Sequence, residues 1–308
     1  MTALGRGGEF DLIRTVWARL GDRVEGAGDD CALITVDGVG LAISTDLAVE
    51  DRHFRRAWLS PGEIGFRSAA GSLSDLAAVA AEPLGVLVSV AAPAADADAL
   101  IPELMAGVAE AAAAVGATVW GGDLVQSDRV LLDVVVVGRA DRPVRRTGAA
   151  SGDALWVTGR LGGPRAAVRA WVAGQEPGAA ARSRFARPEP RVREARWLRD
   201  QGARAMIDIS DGLGGDAGHL AAASGVACVL DAAAVPVHEG ADGWEDAMAG
   251  GEEYELLVAM PAAFDARDSF QRLFAVPLTR IGACEAGRGV RVLRGGREVD
   301  IPASFSHY

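Results

Sequence analysis

Short apolar runs that suit β-strands alternate with longer segments of helical composition in the first half of the chain. This pattern predicts strands at residues 41–44, 118–120 and 130–138, and helices at residues 61–81 and 97–115. Proline near the start of the first helix is expected there, because its missing N–H costs little in a first turn. The run at 130–138 is mostly β-branched, so we expect that strand to be buried over most of its length.

The second half repeats the alternation. The pattern predicts strands at residues 154–158, 205–209 and 254–260, and helices at residues 191–201 and 213–224, with a further helix that begins at Pro164. Residues 173–190 carry Gly, Pro and Arg, and this composition predicts an exposed loop.

A domain boundary is expected at residues 141–152, which contain Pro143 and several arginines. A chain of 308 residues is long enough for two domains that each bury a core. We therefore predict an α/β to α+β protein, with one domain at residues 1–143 and a second at residues 144–308. The pattern does not predict the order of the strands in either sheet.

Composition narrows the classes of function. A net charge of −11 argues against a general nucleic-acid-binding surface. No apolar run is long enough to span a bilayer, and residues 1–6 lack a signal-peptide core. Cys31, Cys228 and Cys284 are odd in number and have no zinc-type spacing. We therefore expect a cytoplasmic protein with reduced cysteines that has neither a nucleic acid nor a membrane as its partner.

Acidic clusters beside Gly or Ser recur where the apolar runs break. In chain order they are Gly28-Asp29-Asp30, Ser44-Thr45-Asp46, Ser74-Asp75, Gly121-Gly122-Asp123 and Asp208-Ile209-Ser210-Asp211-Gly212. A single Asp beside Gly is more often a turn residue than a metal ligand. The repeated set favours Mg²⁺, which is bound through a few carboxylates together with phosphates and water. The second, fourth and fifth clusters follow predicted strands, so their carboxylates would meet along a sheet edge if those strands are neighbours.

The chain contains no lysine, so its 31 basic residues are all arginine. This excludes a Walker-type phosphate-binding lysine and the strand lysine of protein kinases. Phosphate would then be bound by Mg²⁺ and arginine. Arg145 and Arg146 are candidates, with a solvated charge pair as the simpler interpretation. Gly121-Gly122 would let the backbone approach a nucleotide closely, although a tight turn explains these glycines equally well.

Two polar segments near this proposed metal centre are candidates for substrate contacts. His53 follows Thr45-Asp46 by one short loop, although a lone histidine is more often structural. Residues 250–257 place acids before an apolar strand. In that segment Glu252 is the better candidate for a substrate contact, whereas Glu255, which alternates into the strand, is expected to be a structural partner.

Taken in order, these clusters resemble the motifs of thiamine-monophosphate kinase from about residue 8 to the C-terminus. The motifs are Gly28-Asp29-Asp30-Cys31-Ala32-Leu33, Ile43-Ser44-Thr45-Asp46 with His53-Phe54, Leu73-Ser74-Asp75-Leu76-Ala77-Ala78, Gly121-Gly122-Asp123, Arg146-Thr147-Gly148-Ala149, Asp208-Ile209-Ser210-Asp211-Gly212-Leu213 and Gly251-Glu252-Glu253-Tyr254-Glu255-Leu256. The resemblance implies a two-domain fold like that of aminoimidazole ribonucleotide synthetase. Its N-terminal domain has a mixed sheet used for dimerisation, and its C-terminal domain is α+β.

The resemblance also implies an activity and the residues that perform it. The activity is ATP-dependent phosphorylation of thiamine monophosphate to thiamine diphosphate, by direct in-line transfer of the γ-phosphoryl group in a homodimer with several Mg²⁺ ions. The implied catalytic residues are Asp46, Asp75, Asp123 and Asp208. The implied Mg²⁺ ligands are Asp30, Ser44, Thr45, Asp46, Asp75, Asp123, Asp208 and Asp211. The implied ATP contacts are Gly122, Asp123, Arg146 and Ser210, and the implied thiamine contacts are His53 and Glu252.

The chain departs from the family at a few positions. Asp51 stands where the family usually has Gly, two residues before the His of its loop, and Glu253 stands where it has Asp. An aromatic residue expected to stack on thiamine is replaced around Pro302. These changes leave two alternatives open. One is another ATP-dependent small-molecule enzyme of the same superfamily, similar to aminoimidazole ribonucleotide synthetase. The other is a non-catalytic nucleotide-binding homologue.

Overall fold

The computed structural model describes residues 8–303, which fold into two domains that each contain a β-sheet with helices packed against it. Residues 1–6, in which we expected no signal-peptide core, lie outside this range. Across the described residues, no helix is both long and apolar enough to cross a membrane.

The N-terminal domain is built on one mixed sheet. Its elements are α1 (Gly8–Leu20), a short 3-10 helix (Gly21–Arg23), β1 (Ala32–Val36), β2 (Val39–Val49), α2 (Pro61–Ala78), β3 (Glu82–Ala92), α3 (Ala97–Ala114), β4 (Thr118–Gln126) and β5 (Leu131–Arg139). The strand order is β1-β2-β5-β3-β4, and every neighbouring pair is antiparallel except β3 and β4. Alternate residues of β5, Leu132, Val134 and Val136, are fully buried on the face that α2 covers.

The opposite face of this sheet is apolar and open. The strand register places Leu47 of β2, Leu87 of β3 and Val125 of β4 on it, with exposed fractions of 52, 38 and 60%. Asp123 lies on the same face, because it pairs with Ser89 of β3, which is two residues beyond Leu87 and faces the same way. Large apolar side chains on an open sheet face are typical of a surface that another protein covers.

Helix α2 begins with a complete capping box. The Ser60 hydroxyl accepts the N–H of Glu63, the Glu63 carboxylate accepts the N–H of Ser60, and Pro61 takes the first helical position. Helix α3 packs closely on α2 because Gly65 and Gly107 lie at the contact. A Cβ on Gly65 would lie 1.8 Å from the Leu104 carbonyl oxygen, so a side chain there would force the helices apart.

The C-terminal domain is built on the second sheet. Its elements are β6 (Ala154–Thr158), α4 (Gly163–Val172), α5 (Ala179–Ala186), α6 (Val192–Asp200), β7 (Ala205–Asp208), α7 (Leu213–Ser224), β8 (Ala227–Asp231), α8 (Trp244–Ala249), β9 (Leu256–Met260), α9 (Arg267–Phe274), β10 (Leu278–Glu285), β11 (Gly289–Arg294) and β12 (Arg297–Val299). The strand order is β12-β11-β8-β10-β6-β9-β7, and the pair β8–β11 is parallel while the others are antiparallel.

Most predicted elements are confirmed. The helix predicted at 213–224 and the strand predicted at 154–158 are α7 and β6, with the same bounds. The exposed loop predicted at 173–190 is wrong, because α5 lies within it and buries Ala181, Phe185 and Ala186. The strands predicted at 41–44 and 118–120 are too short. Both continue through their acidic clusters, as β2 and β4.

Helix α2 joins the two domains. It packs on β2 and β5 of its own domain and on α5, α6 and β7 of the other. One buried cluster accordingly combines Ala77, in the last turn of this helix, and Ala80, two residues past its end, with Trp156, Leu198 and Val258 of the C-terminal domain. The two sheets are therefore held in a fixed relation by a helix that both cores share.

Candidate functional site

A cleft of about 910 Å³ lies between the two domains. Its walls are α1, β2 with the loop that follows it, one side of α2, helix α4, and the segments that follow β7 and precede β9. Acidic side chains gather near the end of α2, and aromatic side chains gather near its middle. Both domains therefore contribute to one site.

A carboxylate cluster forms the acidic end of the cleft. Asp30 precedes β1, Asp75 lies in the last turn of α2, and Asp208 ends β7. One carboxylate oxygen of each lies within 4.8 Å of the others. The prediction that such groups meet along one sheet edge is wrong, because β2 and β4 are not neighbours and β7 belongs to the other sheet. The carboxylates meet across the domain interface instead.

Hydroxyl groups surround this carboxylate cluster. Ser44 Oγ donates to Asp75 Oδ2 at 2.5 Å, and Ser74 Oγ donates to Asp208 Oδ2 at 2.6 Å. Asp46 lines the cleft two residues beyond Ser44, on the same face of β2. Thr45 points the other way along the strand, and its Oγ donates to Asp133 Oδ1 at 2.5 Å. Ser44 and Asp46 thus join the cluster, while Thr45 also lines the cleft but is bonded across the sheet.

Burial and mutual repulsion both disfavour ionisation of this carboxylate cluster. Burial raises the pKa of Asp75 well above its ordinary value, and repulsion from Asp46, Asp208 and Asp30 raises it further. Burial and repulsion from Asp30 raise the pKa of Asp208 in the same way, against the hydrogen bond from Ser74. Carboxylates this close ionise together readily only when positive charge compensates them. Carboxylate and hydroxyl oxygens are the ligands that Mg²⁺ prefers, so the donor set fits that ion.

Arg146 faces the cluster from the segment between the domains. Its Nε and Nη2 donate to the two oxygens of Asp30, at 3.1 and 2.8 Å. Burial lowers the pKa of Arg146, but the paired Asp30 carboxylate more than offsets this and raises it above its ordinary value. The neighbouring Asp29 carboxylate accepts the Arg146 backbone N–H at 2.8 Å. The two adjacent aspartates therefore anchor the interdomain segment as well as the site.

Ser210 and Asp211 line the cleft directly after β7. Their turn is held by Asp216, which lies in the first turn of α7. One Asp216 oxygen accepts the backbone N–H groups of Ser210, Asp211 and Gly212, at 3.1, 3.2 and 3.0 Å. Sequence reasoning missed Asp216, although an acid in the first turn of a helix is a recognisable partner for free backbone amides.

His53 lines the cleft next to the β2 wall, as its predicted substrate role requires. Its Nδ1 accepts the Val49 N–H at 3.0 Å, which orients the ring. Asp51, in the same turn, has φ +65°. This left-handed conformation favours glycine, and Asp tolerates it better than most residues, so Asp51 fits the turn.

Glu252 also lines the cleft, where its carboxylate forms an ion pair with Arg67 of α2. The next residue, Glu253, is fully buried, and burial raises its pKa to about 8. Glu255 accepts hydrogen bonds from Arg191 at 2.8 and 2.6 Å and from Arg184 at 2.7 Å, which confirms it as a structural partner. These three acids therefore have three different environments.

The aromatic end of the cleft was not anticipated. Trp58 stacks on Trp171 of α4, with ring centroids 5.1 Å apart and planes 9° apart, and Trp171 contacts Phe185 of α5. The signal for α5 was hidden by the Gly, Pro and Arg content of residues 173–190. A second missed wall is α1, from which Phe10 and Trp17 line the cleft.

Gly122 and Asp123 are placed elsewhere. They lie in the middle of β4, an exposed edge strand, and are not among the described residues that line the cleft. Gly122 has a structural reason to be glycine, because a Cβ would lie 1.8 Å from the Val88 carbonyl oxygen of β3. Within this chain, the fold therefore brings together Asp30, Asp46, Asp75 and Asp208 but leaves Asp123 apart.

Two family models match the chain. The AIR synthase related protein N-terminal domain matches residues 28–140, and the AIR synthase related protein C-terminal domain matches residues 150–294. Together they cover every strand of the two sheets except β12, and most of the residues that line the cleft.

Individual relatives share a more specific description. The chain is 36% identical to a thiamine-monophosphate kinase of Mycobacterium tuberculosis over 244 residues, which are 75% of this chain and 73% of that protein. It is 35% identical to a thiamine-monophosphate kinase of Methanopyrus kandleri over 299 residues, 94% of this chain and 92% of that protein. Among solved structures, AaThiL complexed with AMPPCP and TMP matches with a TM-score of 0.86 and 30% identity, over 98% of this chain and 97% of that one.

Proposed function

This chain belongs to the thiamine-monophosphate kinase family, and from that membership we propose that it transfers the γ-phosphoryl group of ATP to thiamine monophosphate, forming thiamine diphosphate. The observation that carries the proposal is the union of Asp30, Asp75 and Asp208, from both domains, at one end of a large cleft. A volume of about 910 Å³ lies at the upper end of the range for small-molecule sites, and it suits two substrates side by side.

Magnesium is the cation we assign to the acidic end. It would be held by the Ser44 hydroxyl and by the carboxylates of Asp30, Asp46, Asp75, Asp208 and Asp211. Thr45 lines the cleft next to Ser44 and Asp46. When bound, Mg²⁺ neutralises phosphate charge and aligns the phosphoryl groups for transfer. The repulsion that raises the pKa of Asp75 and Asp208 supports this assignment, because a bound divalent cation would relieve that repulsion.

The chain's own residues position the two substrates. Asp46, Asp75 and Asp208 would act on the transferred phosphoryl group through the Mg²⁺ that they hold. Arg146 supplies positive charge for the nucleotide phosphates, and Ser210 supplies a hydroxyl. His53 and Glu252 contact the thiamine part of the acceptor. The acceptor phosphate is already ionised near neutral pH, so an in-line attack needs no strong general base.

A homodimer formed through the open face of the N-terminal sheet is part of the proposal. Leu47, Leu87 and Val125 are exposed on that face, and a second copy would bury them. Asp123 lies on the same face, away from the cleft of its own chain. We therefore assign Gly122 and Asp123 to the cleft of the other copy, where they complete the nucleotide and metal contacts.

The test is direct detection of thiamine diphosphate after the purified protein is mixed with ATP, Mg²⁺ and thiamine monophosphate. A reaction without the acceptor is the control for background ATP hydrolysis. Product that disappears when EDTA is added supports the kinase and its metal requirement. ATP binding without product would contradict the proposal and favour the non-catalytic homologue.

A further inference from the structure

Arg67 lies on the same wall of the cleft as Asp75 of the carboxylate cluster, two turns earlier in α2. Arg67, Gly71 and Asp75 of α2 are spaced four residues apart, and all of them line the cleft. Residues with this spacing share one helix face. Because each helical residue rises 1.5 Å, Arg67 lies about 12 Å along the helix axis from Asp75. This places Arg67 where the organic part of an acceptor would lie when its phosphate is at the carboxylates.

The Arg67 side chain is held rigidly by the other domain. It is 4% exposed, although it belongs to a helix that lines a cleft. Its Nη1 donates to the Phe185 carbonyl oxygen at 2.6 Å, and its guanidinium carbon lies 3.7 Å from the centroid of the Phe185 ring. A planar guanidinium fixed by a carbonyl and a ring face has little freedom to reorient.

The remaining nitrogen of Arg67 holds Glu252. Nη2 forms an ion pair with Glu252 Oε1, and among the described residues it has no hydrogen-bond partner besides this contact. Glu252 has φ +60°, and its N–H donates to the Ser210 carbonyl at 2.6 Å. Its side chain is 30% exposed, so the carboxylate remains open to the cleft.

We propose that Arg67 is a positioning residue that sets acceptor specificity, by fixing the Glu252 carboxylate at the thiamine end of the cleft; the inference rests on the function proposed above. The ligand class is a small monophosphate that carries a cationic aromatic ring. The ring cation shares the Glu252 carboxylate with the immobile guanidinium, so the acceptor meets a carboxylate already in place. ATP binds at the other end and does not depend on this ion pair.

The experiment is steady-state kinetics on the full chain, with ATP and thiamine monophosphate varied separately, for Arg67→Gln, Arg67→Lys, Glu252→Gln and the double variant Arg67→Gln/Glu252→Gln. A matched control is Arg187→Gln. Arg187 also crosses between the domains, pairs with Glu110 and lies 4.8 Å over the Phe66 ring, but it is not among the described cleft residues. Thermal unfolding of each variant checks that the fold is intact.

The expected result separates the two substrates. Arg67→Gln should raise the acceptor KM about ten-fold, because Arg67 acts on the acceptor through Glu252 in one network. It should leave the ATP KM within about two-fold, because ATP binds at the other end of the cleft. Arg67→Lys, which keeps the charge without the planar fork, should recover part of the loss. The double variant should be no worse than Glu252→Gln alone, and Arg187→Gln should match the wild type. If Arg67→Gln does not fold, Arg67→Lys should still show a raised acceptor KM at an unchanged melting temperature.

Other outcomes overturn the inference. Equal increases in both KM values, or losses that multiply in the double variant, would show that Arg67 does not act through Glu252, while the kinase proposal stands. A fall in kcat with both KM values unchanged would overturn it in the same way. Wild-type protein that makes no thiamine diphosphate would instead remove the proposed function, and this inference with it.

Discussion

Replacement of Asp75 by asparagine should stabilise the metal-free protein while it abolishes turnover. Asn keeps the size of the side chain and an oxygen that can accept the hydrogen bond from Ser44. It removes one negative charge from a cluster in which Asp75, Asp30 and Asp208 lie within 4.8 Å of one another. The substitution therefore lets the effect of carboxylate repulsion on stability be measured separately from the contribution of Asp75 to turnover.

The size of the effect follows from the spacing. Two unit charges 4.8 Å apart repel by about 3.5 kcal/mol at an effective dielectric constant of about 20. Partial protonation of the cluster and the charge of Arg146 reduce this figure, so we expect a net gain of about 1–3 kcal/mol in the free energy of unfolding. For a chain of 308 residues, that corresponds to a rise of about 1.5–5 °C in melting temperature.

The direction of the pH dependence follows from the raised pKa of Asp75 in the folded protein. The unfolded chain has the ordinary value of 3.8, so between the two values the folded state binds more protons. Stability is therefore greatest below the unfolded value, and it falls as pH rises through the folded value. Asp75→Asn should make this fall shallower in metal-free protein.

The assay is thermal unfolding in EDTA and in excess Mg²⁺. Mg²⁺ at about 1,000 times its dissociation constant adds about 4.1 kcal/mol to the wild type, which exceeds the gain expected for the variant, so it should reverse the order of the two melting temperatures. Asp300→Asn, at an exposed position, is the control and should change stability by less than about 0.5 kcal/mol. If Asp75→Asn melts below the wild type in EDTA, or if Mg²⁺ stabilises both proteins equally, the electrostatic reasoning is refuted.

Three further predictions concern other parts of the site. His53→Ala should raise the acceptor KM several-fold more than the ATP KM in steady-state kinetics, and the opposite pattern would move His53 to the nucleotide side. Asp46→Asn and Asp123→Asn should each be inactive but folded; subunit exchange between them should restore about a quarter of wild-type activity if Asp123 serves the other copy, and none if it acts within its own chain. Glu253→Gln should change the melting temperature little at pH 4 but raise it at pH 9, because the pKa of Glu253 is raised from 4.5 to about 8 in the folded protein and wild-type stability is lost as pH rises between these values; equal effects at both pH values would contradict this.

Local chemistry in the sequence predicted much of the site. Asp30, Asp46, Asp75 and Asp208 were identified as candidates from Gly and Ser beside carboxylates, and the fold brings them together. The mode of assembly was not predictable, because it depends on the packing of one sheet domain against another. Periodicity within a segment carries no information about that packing.

Helix α5, the position of Asp123 and the contacts of Arg67 could not be predicted from the sequence pattern, each for a physical reason. The helix α5 was hidden because Gly, Pro and Arg around it suggest a loop, whereas Phe185 is buried only in the context of α2 and α4. Asp123 carries the same local signature as the other aspartates but lies within an edge strand. Arg67 gave no signal because its contacts are with Phe185 and Glu252, which lie more than a hundred residues away in the sequence.

The sharing of α2 by both cores has a consequence for how this protein unfolds. A helix that carries Asp75 and buries residues such as Leu73 and Leu76 cannot leave one domain without exposing apolar surface of the other. The two sheets should therefore lose their structure in a single cooperative transition, with no stable half-folded species between. Damage far from the cleft, in either core, would then reduce the population of active enzyme rather than produce a folded enzyme with altered kinetics.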